Sequence, residues 1–511
     1  MFFGWLPRKL SQGTFVLKHT IASINNWGRF LQLQMQRRPV AIGLLAVTGL
    51  VYAVTANLLR TDLFSQDSWS YFELSKTIFG GDFYRFNTIR SHFSEQYSAA
   101  FPMGYPVALS VIQLILGQVP EIAPFVNSFA AVATAYVSTR ISDAIQLPRI
   151  YAIAIASSLI LHPDYIDEVL SGRATPLAIL LFALAGFQYL GGKHFATGLF
   201  LGLSALVRFD FLSHSLIFLI AMPFIKWRGS KRLFVMIAGF LIGIFPWSLY
   251  SYYHFGLFWV SDNSWVAMSA LPAYMWEYPA RPLVSASDNF GLWLTRLIRN
   301  TYPLGSSVVR SFAKSPLVSI LVAVLLLKWR DLIKVIDVRL AIGLLFLLSA
   351  ALLPYLLTGY FLGRYYLVHL LCASLLLASF VVHLKDLSIL GLSSEGIALI
   401  SIFFTFILGA TDLSGYVVFH YLHVNEQASE LEIIESLRQC HRLNPEVLYI
   451  FEPPLTSRVD FIKYGALTGM RATGLPYNFS TMNDTQREEY FLHMAPYVRI
   501  KDFSAGNKCP V

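Results

Sequence analysis

The chain has 511 residues, 55% of them hydrophobic and only 14% charged, with a mean hydropathy of +0.55 and a formal net charge of +9. A soluble chain of this length would carry about a quarter charged residues and divide into several domains, so the composition excludes that class. Apolar runs of about 17–22 residues recur instead, the length needed to cross ~30 Å of hydrocarbon, and they define a polytopic membrane protein. The basic excess is not a nucleic-acid footprint, because it sits at span ends: MQRRP (35–39), KWRGSKR (226–232) and KWRDLIK (328–334). Such clusters stay on the cytoplasmic side. The expected partners are membrane lipids, and no nucleic acid.

Residues 1–38 read as a basic, partly amphipathic segment on the inner surface, and FFGWLPRKL lacks the apolar core and cleavage site of a signal peptide. The first span, VAIGLLAVTGLVYAVTANLL (40–59), is followed at once by Asp62 and then by QDSWSYFELSKTIFGGD (66–82), with Asp67, Glu73 and Asp82 among aromatics. Asp67 and Tyr71 are four apart and share one face of a helix, which Leu74 and Ile78 extend along the bilayer. Two readings stand from spacing alone. The acids are solvated loop residues, or one carboxylate waits at the headgroup boundary to take a proton from an incoming hydroxyl or amine. Arg90 and His92, in NTIRSHFSEQY, are further candidates to meet a phosphate or a sugar.

The next apolar run, PMGYPVALSVIQLILG (102–117), decides the topology. As a full crossing it would put KWRGSKR and KWRDLIK outside. As a bent helix in the outer interface, with Pro102, Gly104 and Pro106 at its entrance, it leaves both inside with MQRRP, as the positive-inside rule favours. Further spans are expected near 122–139, 150–162, 175–190, 196–212, 213–226, 233–250, 316–328, 338–357, 365–383 and 390–410. The expectation is an all-α polytopic membrane protein of about 11 transmembrane helices plus outer-surface juxtamembrane helices. Its outer regions are a first loop (60–121), an acidic loop (162–174), a large loop (251–315) and the tail. Residues 39–410 form the membrane domain, and 411–511 a small C-terminal α/β extracytoplasmic domain. In that tail NEQASELEIIESLRQCHRL (425–443) has helical periodicity and EVLYIFEPP (446–454) reads as a strand. Cys440 and Cys509 are a disulfide or two free thiols, and Cys372 falls in a span.

The acidic loop HPDYIDEVLSG holds Asp164, Asp167 and Glu168; on a helix Asp167 and Glu168 face different ways. Arg208 ends a span beside Asp210, where an ion pair tying spans together is the plain reading. Arg364 and Tyr365 open another span, where an unpartnered charge is costly. WVSDNSWVAMSALPAYMWEYP (259–279) is dense in aromatics, suited to a sugar cleft or to headgroups. No metal-ligand spacing stands out.

Taken together, several stretches resemble the glycosyltransferase-C superfamily, membrane enzymes that transfer sugars from polyprenyl-phosphate donors. QDSWSYFELSKTIFGGD is similar to the family's first outer loop, with Asp67, Tyr71, and Gly81 with Asp82 at its positions. FPMGYPVALSVIQLILG resembles the surface helix that follows, GLFLGLSALVRFDFL (198–212) a glycine-rich span ending in Arg, YSYYHFGLFWVSDN (250–263) an aromatic outer loop, and GRYYLVHLL (363–371) an Arg-Tyr span entrance. The resemblance covers roughly residues 40–371. It implies Asp67 as the catalytic base, with a polyprenyl-phosphate-sugar donor and a lipid, glycan or protein acceptor. Donor-phosphate binding then falls to Arg364, with Arg208 and Arg90, and substrate positioning to Tyr71, His92 and Tyr365. Many members carry a second acid where this chain has Leu177, in GRATPLAIL; Asp164, Asp167 and Glu168 are the candidates to substitute, with at most one or two of them able to point at a common site. Some members use a divalent ion, and nothing in this sequence fixes one. The compact tail points to a bacterial inner membrane. Competing classes are a flippase or transporter of lipid-linked glycans, which would need charges along an intramembrane path, and an O-antigen-type polymerase or ligase, which would need a large outer loop rich in Arg and His. The 251–315 loop has arginines, but His254 is its single histidine.

Overall fold

The structure is a computed structural model. It describes residues 22–27, 38–59, 63–79, 83–85, 98–225, 230–261, 290–330, 351–359, 361–383, 393–444, 447–451, 458–468, 470–474, 482–493 and 497–500. It is mostly helical. The first span is α1 (Arg38–Leu59), the Asp67 segment is α2 (Gln66–Thr77), and the proline-glycine run is α3 (Gly104–Leu116). The acidic loop forms the short helix α6 (Pro163–Leu170), after α4 (Ile122–Ala144) and α5 (Arg149–Ile160). Then come α7 (Thr175–Leu190), α8 (His194–Val207), α9 (Asp210–Ile225), α10 (Ser230–Phe255), α11 (Phe290–Ala313) and α12 (Pro316–Leu327). Among the described residues four helices are long and apolar enough to cross a membrane, or six if two bent pairs each count as one span. Most of the run expected at 338–357 lies outside the described residues.

Close backbone approach sets the packing near the site. Gly198 and Gly202 on α8 face Gly239 and Gly243 on α10, and a Cβ at any of the four would run into opposing backbone. Small residues spaced by four let membrane helices meet this closely, where dispersion rather than water exclusion holds them. The pairing fixes α8, whose end carries Arg208. Gly104 sits against the Leu206 carbonyl at that same end, leaving no room for a side chain, and docks α3 there.

One buried polar knot aims the acidic loop. The Tyr105 hydroxyl lies 3.1 Å from Asn127 Oδ1 and 3.1 Å from the Gly172 carbonyl. Asn127 Nδ2 donates to the carbonyls of Glu168 (3.2 Å) and Arg173 (2.7 Å). Each buried polar group is thereby satisfied, as a low-dielectric interior demands. Between α6 and α7 the chain bends by 115°. Gly172 makes that turn at φ +70°, a conformation that favours glycine. So α6 folds across the end of α7 rather than prolonging it.

The C-terminal part departs from expectation in one respect. The span near 390–410 and the helix near 425–443 are one element, α15 (Ser394–Leu443), 50 residues long. At 1.5 Å per residue that is about 75 Å, well beyond a bilayer. It follows α13 (Leu353–Thr358), a 3₁₀ turn (Gly363–Tyr366) and α14 (Leu367–His383). Beyond it, β1 (Leu448–Phe451), α16 (Arg458–Thr468), β2 (Arg471–Gly474), α17 (Asp484–His493) and β3 (Tyr497–Ile500) form a parallel sheet in the order β2-β1-β3. The sequence reading found the strand that became β1. All three strands are four residues long, and only β1 lies in an apolar run bounded by a proline pair, EVLYIFEPP, that marks it in the sequence. Cys440 is disulfide-bonded and Cys372 is a free thiol, while Cys509 lies outside the described residues.

Candidate active site

Helix α2 forms where expected, but it does not lie open on a surface: residues 68–75 are all buried. Its apolar side is covered by α3, with Tyr71 edge-on to Phe101 and Tyr105 at centroid distances of 4.8 and 5.0 Å. Its other side meets α16. Lys76 Nζ donates to the Ala466 carbonyl at 2.8 Å, and Lys463 Nζ stands 5.7 Å from the Trp69 ring. Ser65 begins the helix, its N–H donating to Ser68 Oγ at 3.2 Å. Asp67 falls in the first turn, where the helix dipole favours a negative charge.

Asp67 Oδ2 is 3.2 Å from Arg364 Nη2, with the Asp67 side chain 25% exposed and that of Arg364 11%. Arg364 Nη1 reaches Glu168 Oε1 at 3.6 Å. The same Glu168 oxygen takes Arg173 Nη1 at 2.8 Å, and Thr175 Oγ1 donates to Glu168 Oε2. Arg173 also pairs with Asp167 (2.6 Å) and donates to Ser65 Oγ (3.0 Å), the residue that starts α2. Thr175 Oγ1 accepts from Arg208 Nη1 at 3.0 Å. Arg208 holds Asp210 through Nε (2.9 Å) and Nη2 (3.3 Å), and the Tyr355 hydroxyl donates to that carboxylate at 3.2 Å. Burial alone would raise the Glu168 carboxyl, but the guanidinium groups of Arg173, Arg364 and Arg208, with the Thr175 hydroxyl, hold it below its ordinary value. It is therefore a buried anion fully paired with cations, the state in which a carboxylate tolerates burial.

A cavity of about 330 Å³ opens beside this network. Arg208, Asp210, Tyr355 and Tyr365 line its polar end, and Leu212, Leu216, Leu353 and Leu357 its apolar wall. Leu216 and Leu353 are also exposed on the flank of the bundle. Tyr365 links cavity and network, since both Arg208 and Arg364 lie over its ring, at 5.5 and 5.2 Å from the centroid. Asp67 does not line the cavity itself; Arg364 and Tyr365 stand between.

No family model matches the sequence, and no curated protein matches it. In fold, however, it is similar to ArnT from Cupriavidus metallidurans bound to undecaprenyl phosphate, at a TM-score of 0.54 and 12% identity, over 89% of this chain and 89% of that one. The apo state of ArnT from the same organism gives 0.50 at 11% identity, over 91% and 90%. The chain has the fold of ArnT. That likeness of architecture agrees with the expectation drawn from the sequence resemblance. At this identity the likeness is one of architecture, and the chemistry is argued from the residues themselves.

Within this fold, Asp67, Tyr71, Arg208, Arg364 and Tyr365 gather at one end of the bundle. Burial raises the Tyr71 hydroxyl far above its ordinary range, with Arg208 the strongest opposing influence, so it stays protonated. Arg90 and His92, like Gly81 and Asp82, lie outside the described residues. Asp164 turns away towards α11, where it takes Lys314 Nζ (2.6 Å) and Ser311 Oγ (3.1 Å). Asp167 pairs with Arg173 at the rim. Among the described residues no group of three or more His, Cys, Asp or Glu side chains is arranged to hold a metal ion. Sequence reasoning gave no part to Arg173, Thr175 or Tyr355. Arg173 sits in a turn, where no periodicity points to it, and Thr175 and Tyr355 enter only through contacts distant in sequence. Adjacent helical positions diverge, so Asp167 and Glu168 are not expected to meet one partner. The guanidinium of Arg173 returns from the next turn and receives both acids.

Proposed function

We propose that the chain is an integral membrane glycosyltransferase that moves a sugar from a polyprenyl-phosphate donor to a lipid, glycan or protein acceptor at the extracytoplasmic face. The observation that carries this reading is the pair of guanidinium groups over Tyr365: Arg208 lines the polar end of a cavity with an apolar wall, and Arg364, behind the same ring, has a carboxylate 3.2 Å away. An isoprenoid suits the apolar wall, and its phosphate suits the arginines, which bind such groups bidentately. Departure of the sugar leaves negative charge growing on the phosphate, and cations fixed beforehand stabilise that charge most in the transition state. Asp67 takes the proton from the acceptor as it attacks the anomeric carbon. Tyr71 packs behind Asp67, and Tyr365 orients both arginines. Undecaprenyl phosphate is what the structural neighbour holds, and a lipid of that class is the proposed carrier here.

Positive-inside topology supports about 11 crossings and a tail outside the cytoplasm of a bacterial inner membrane. The membrane part is residues 39–410, and residues 411–511 form an extracytoplasmic α/β domain. The test of the function is mass spectrometry of lipids and glycans in a deletion strain. The reading expects one glycan lacking a sugar and accumulation of the carrier-linked donor. An unchanged glycan profile with no accumulated donor would contradict it.

A further inference from the structure

Glu168 has no part in the proposed chemistry, yet more of the site rests on it than on any acid that does. Its side chain is fully buried, so it does not meet a substrate arriving from water or lipid. Oε1 is shared between Arg173 and Arg364, and Oε2 receives the hydroxyl of Thr175, which in turn holds Arg208. One carboxylate thus anchors three guanidinium groups, two directly and one through a hydroxyl.

The geometry at Arg364 shows what this anchoring leaves open. Nη1 faces Glu168, and Nη2 faces Asp67 and donates a long hydrogen bond of 3.4 Å to the Tyr365 hydroxyl, which a phosphate oxygen would replace. Nε is buried and has no hydrogen-bond partner among the described residues. A guanidinium has five N–H donors in a fixed planar fork. With Nη1 engaged, the Nε–Nη2 edge remains, the edge that meets two oxygens of one phosphate side by side. Helix α6 braces the same arginine from a second direction. The Asp164 carboxylate lies against Gly363, where a Cβ would collide with it, and so packs on the turn carrying Arg364.

We propose that Glu168 is a positioning residue that pins Arg364 by Nη1, so that its Nη2 rests on Asp67 before the lipid binds and its Nε–Nη2 edge turns to the donor phosphate when it does. This rests on the phosphate-binding reading of the site given above. Its consequence is that donor binding and release of the base are one event. Asp67 stays paired with Arg364 until a phosphate takes the guanidinium edge from it, and only then is the carboxylate free to accept a proton. No covalent step is involved.

Charge and positioning predict opposite signs, which makes the idea testable. Glu168→Gln removes a negative charge next to Arg364, and on Coulombic grounds alone an anion should then bind more tightly. If Glu168 instead holds the fork, the same change weakens binding. The probe is undecaprenyl phosphate, titrated against the purified full-length protein in lipid nanodiscs, with Glu168→Gln, Arg364→Gln and the double variant. Arg364→Gln should weaken binding about tenfold or more, the scale of one charge-assisted hydrogen bond. Glu168→Gln should weaken it several-fold. The double variant should bind no worse than Arg364→Gln alone, because Glu168 acts through that arginine. Glu168→Asp keeps the charge but draws the carboxylate back by one methylene. It should give an intermediate loss, and it serves as the probe if the Gln variant does not fold. Unchanged or tighter binding by Glu168→Gln (by Glu168→Asp, if that is the variant measured), or losses that multiply in the double variant, would overturn the proposal. Wild-type affinity in Arg364→Gln is a different failure, that of the phosphate reading itself, and the proposal falls with it.

Discussion

Removing the charge of Asp210 should cost more than removing the whole ion pair to which it belongs. Arg208 is 8% exposed. Asp210 meets it with both oxygens, at 2.9 and 3.3 Å, and also accepts from Tyr355. Asp210→Asn leaves the Arg208 guanidinium in a low-dielectric setting without its direct ion-pair partner, in contact with the neutral Thr175 hydroxyl and Tyr365 ring. Breaking a buried pair in this way costs about 3–5 kcal/mol, whereas replacing both partners by apolar groups of similar volume is often near neutral. The pair Asp210→Asn and Arg208→Met/Asp210→Leu therefore separates uncompensated charge from lost packing. The assay is reversible unfolding by a denaturing detergent titrated into bicelles, read by tryptophan fluorescence. The single variant should lose about 3–5 kcal/mol and the double variant about 1 kcal/mol or less, although both lose affinity for undecaprenyl phosphate. A double variant as unstable as the single one would refute the reasoning. It would mean that the network is held by shape and hydrogen bonding rather than by charge balance.

Three further outcomes follow from the geometry. Gly202→Val should overpack the α8–α10 contact and cost about 1–3 kcal/mol or abolish folding, whereas Gly305→Ala, which meets nothing within 4 Å, should be neutral or stabilising by up to about 1 kcal/mol; thermal unfolding compares the two. Gly363→Ala should press on Asp164, displace the Arg364 turn and weaken undecaprenyl phosphate binding about tenfold, with stability little changed. Because the folded-state value of Glu168 lies below its ordinary 4.5, its contribution to stability is present at neutral pH. It fades as the pH falls through 4.5 towards that lower folded value. Stability measured across that range should show an acid-side loss that is smaller in Glu168→Gln.

Much of the framework was readable because the apolar runs repeat at membrane length. The span expected at 175–190 is Thr175–Leu190, and the Asp67–Tyr71 spacing did mark one helix. The readable features are local ones: period, charge clusters, and proline or glycine at element ends. What stayed hidden depends on contacts between residues far apart in sequence. The α8–α10 approach needs two glycine pairs about 40 residues apart to face each other. The role of Glu168 needs Arg173 to fold back five residues and Arg364 to arrive from the other end of the chain. The burial of α2 came from α16, whose docking through Lys76 and Lys463 has no local signal. The continuity of α15 was missed for the opposite reason. The change in composition after residue 410 looks like an element boundary, but a helix can leave the membrane without ending.

The central claim is that Asp67 acts as a base beside an arginine that grips a lipid phosphate. The measurement that meets it most directly is sugar transfer by purified Asp67→Asn, using carrier-linked donor and acceptor extracted from the deletion strain and mass-spectrometric detection of product. Loss of a general base is worth about 10²–10⁴-fold, so turnover should fall by at least two orders of magnitude while affinity for undecaprenyl phosphate is kept. Turnover within a few-fold of wild type would contradict the claim.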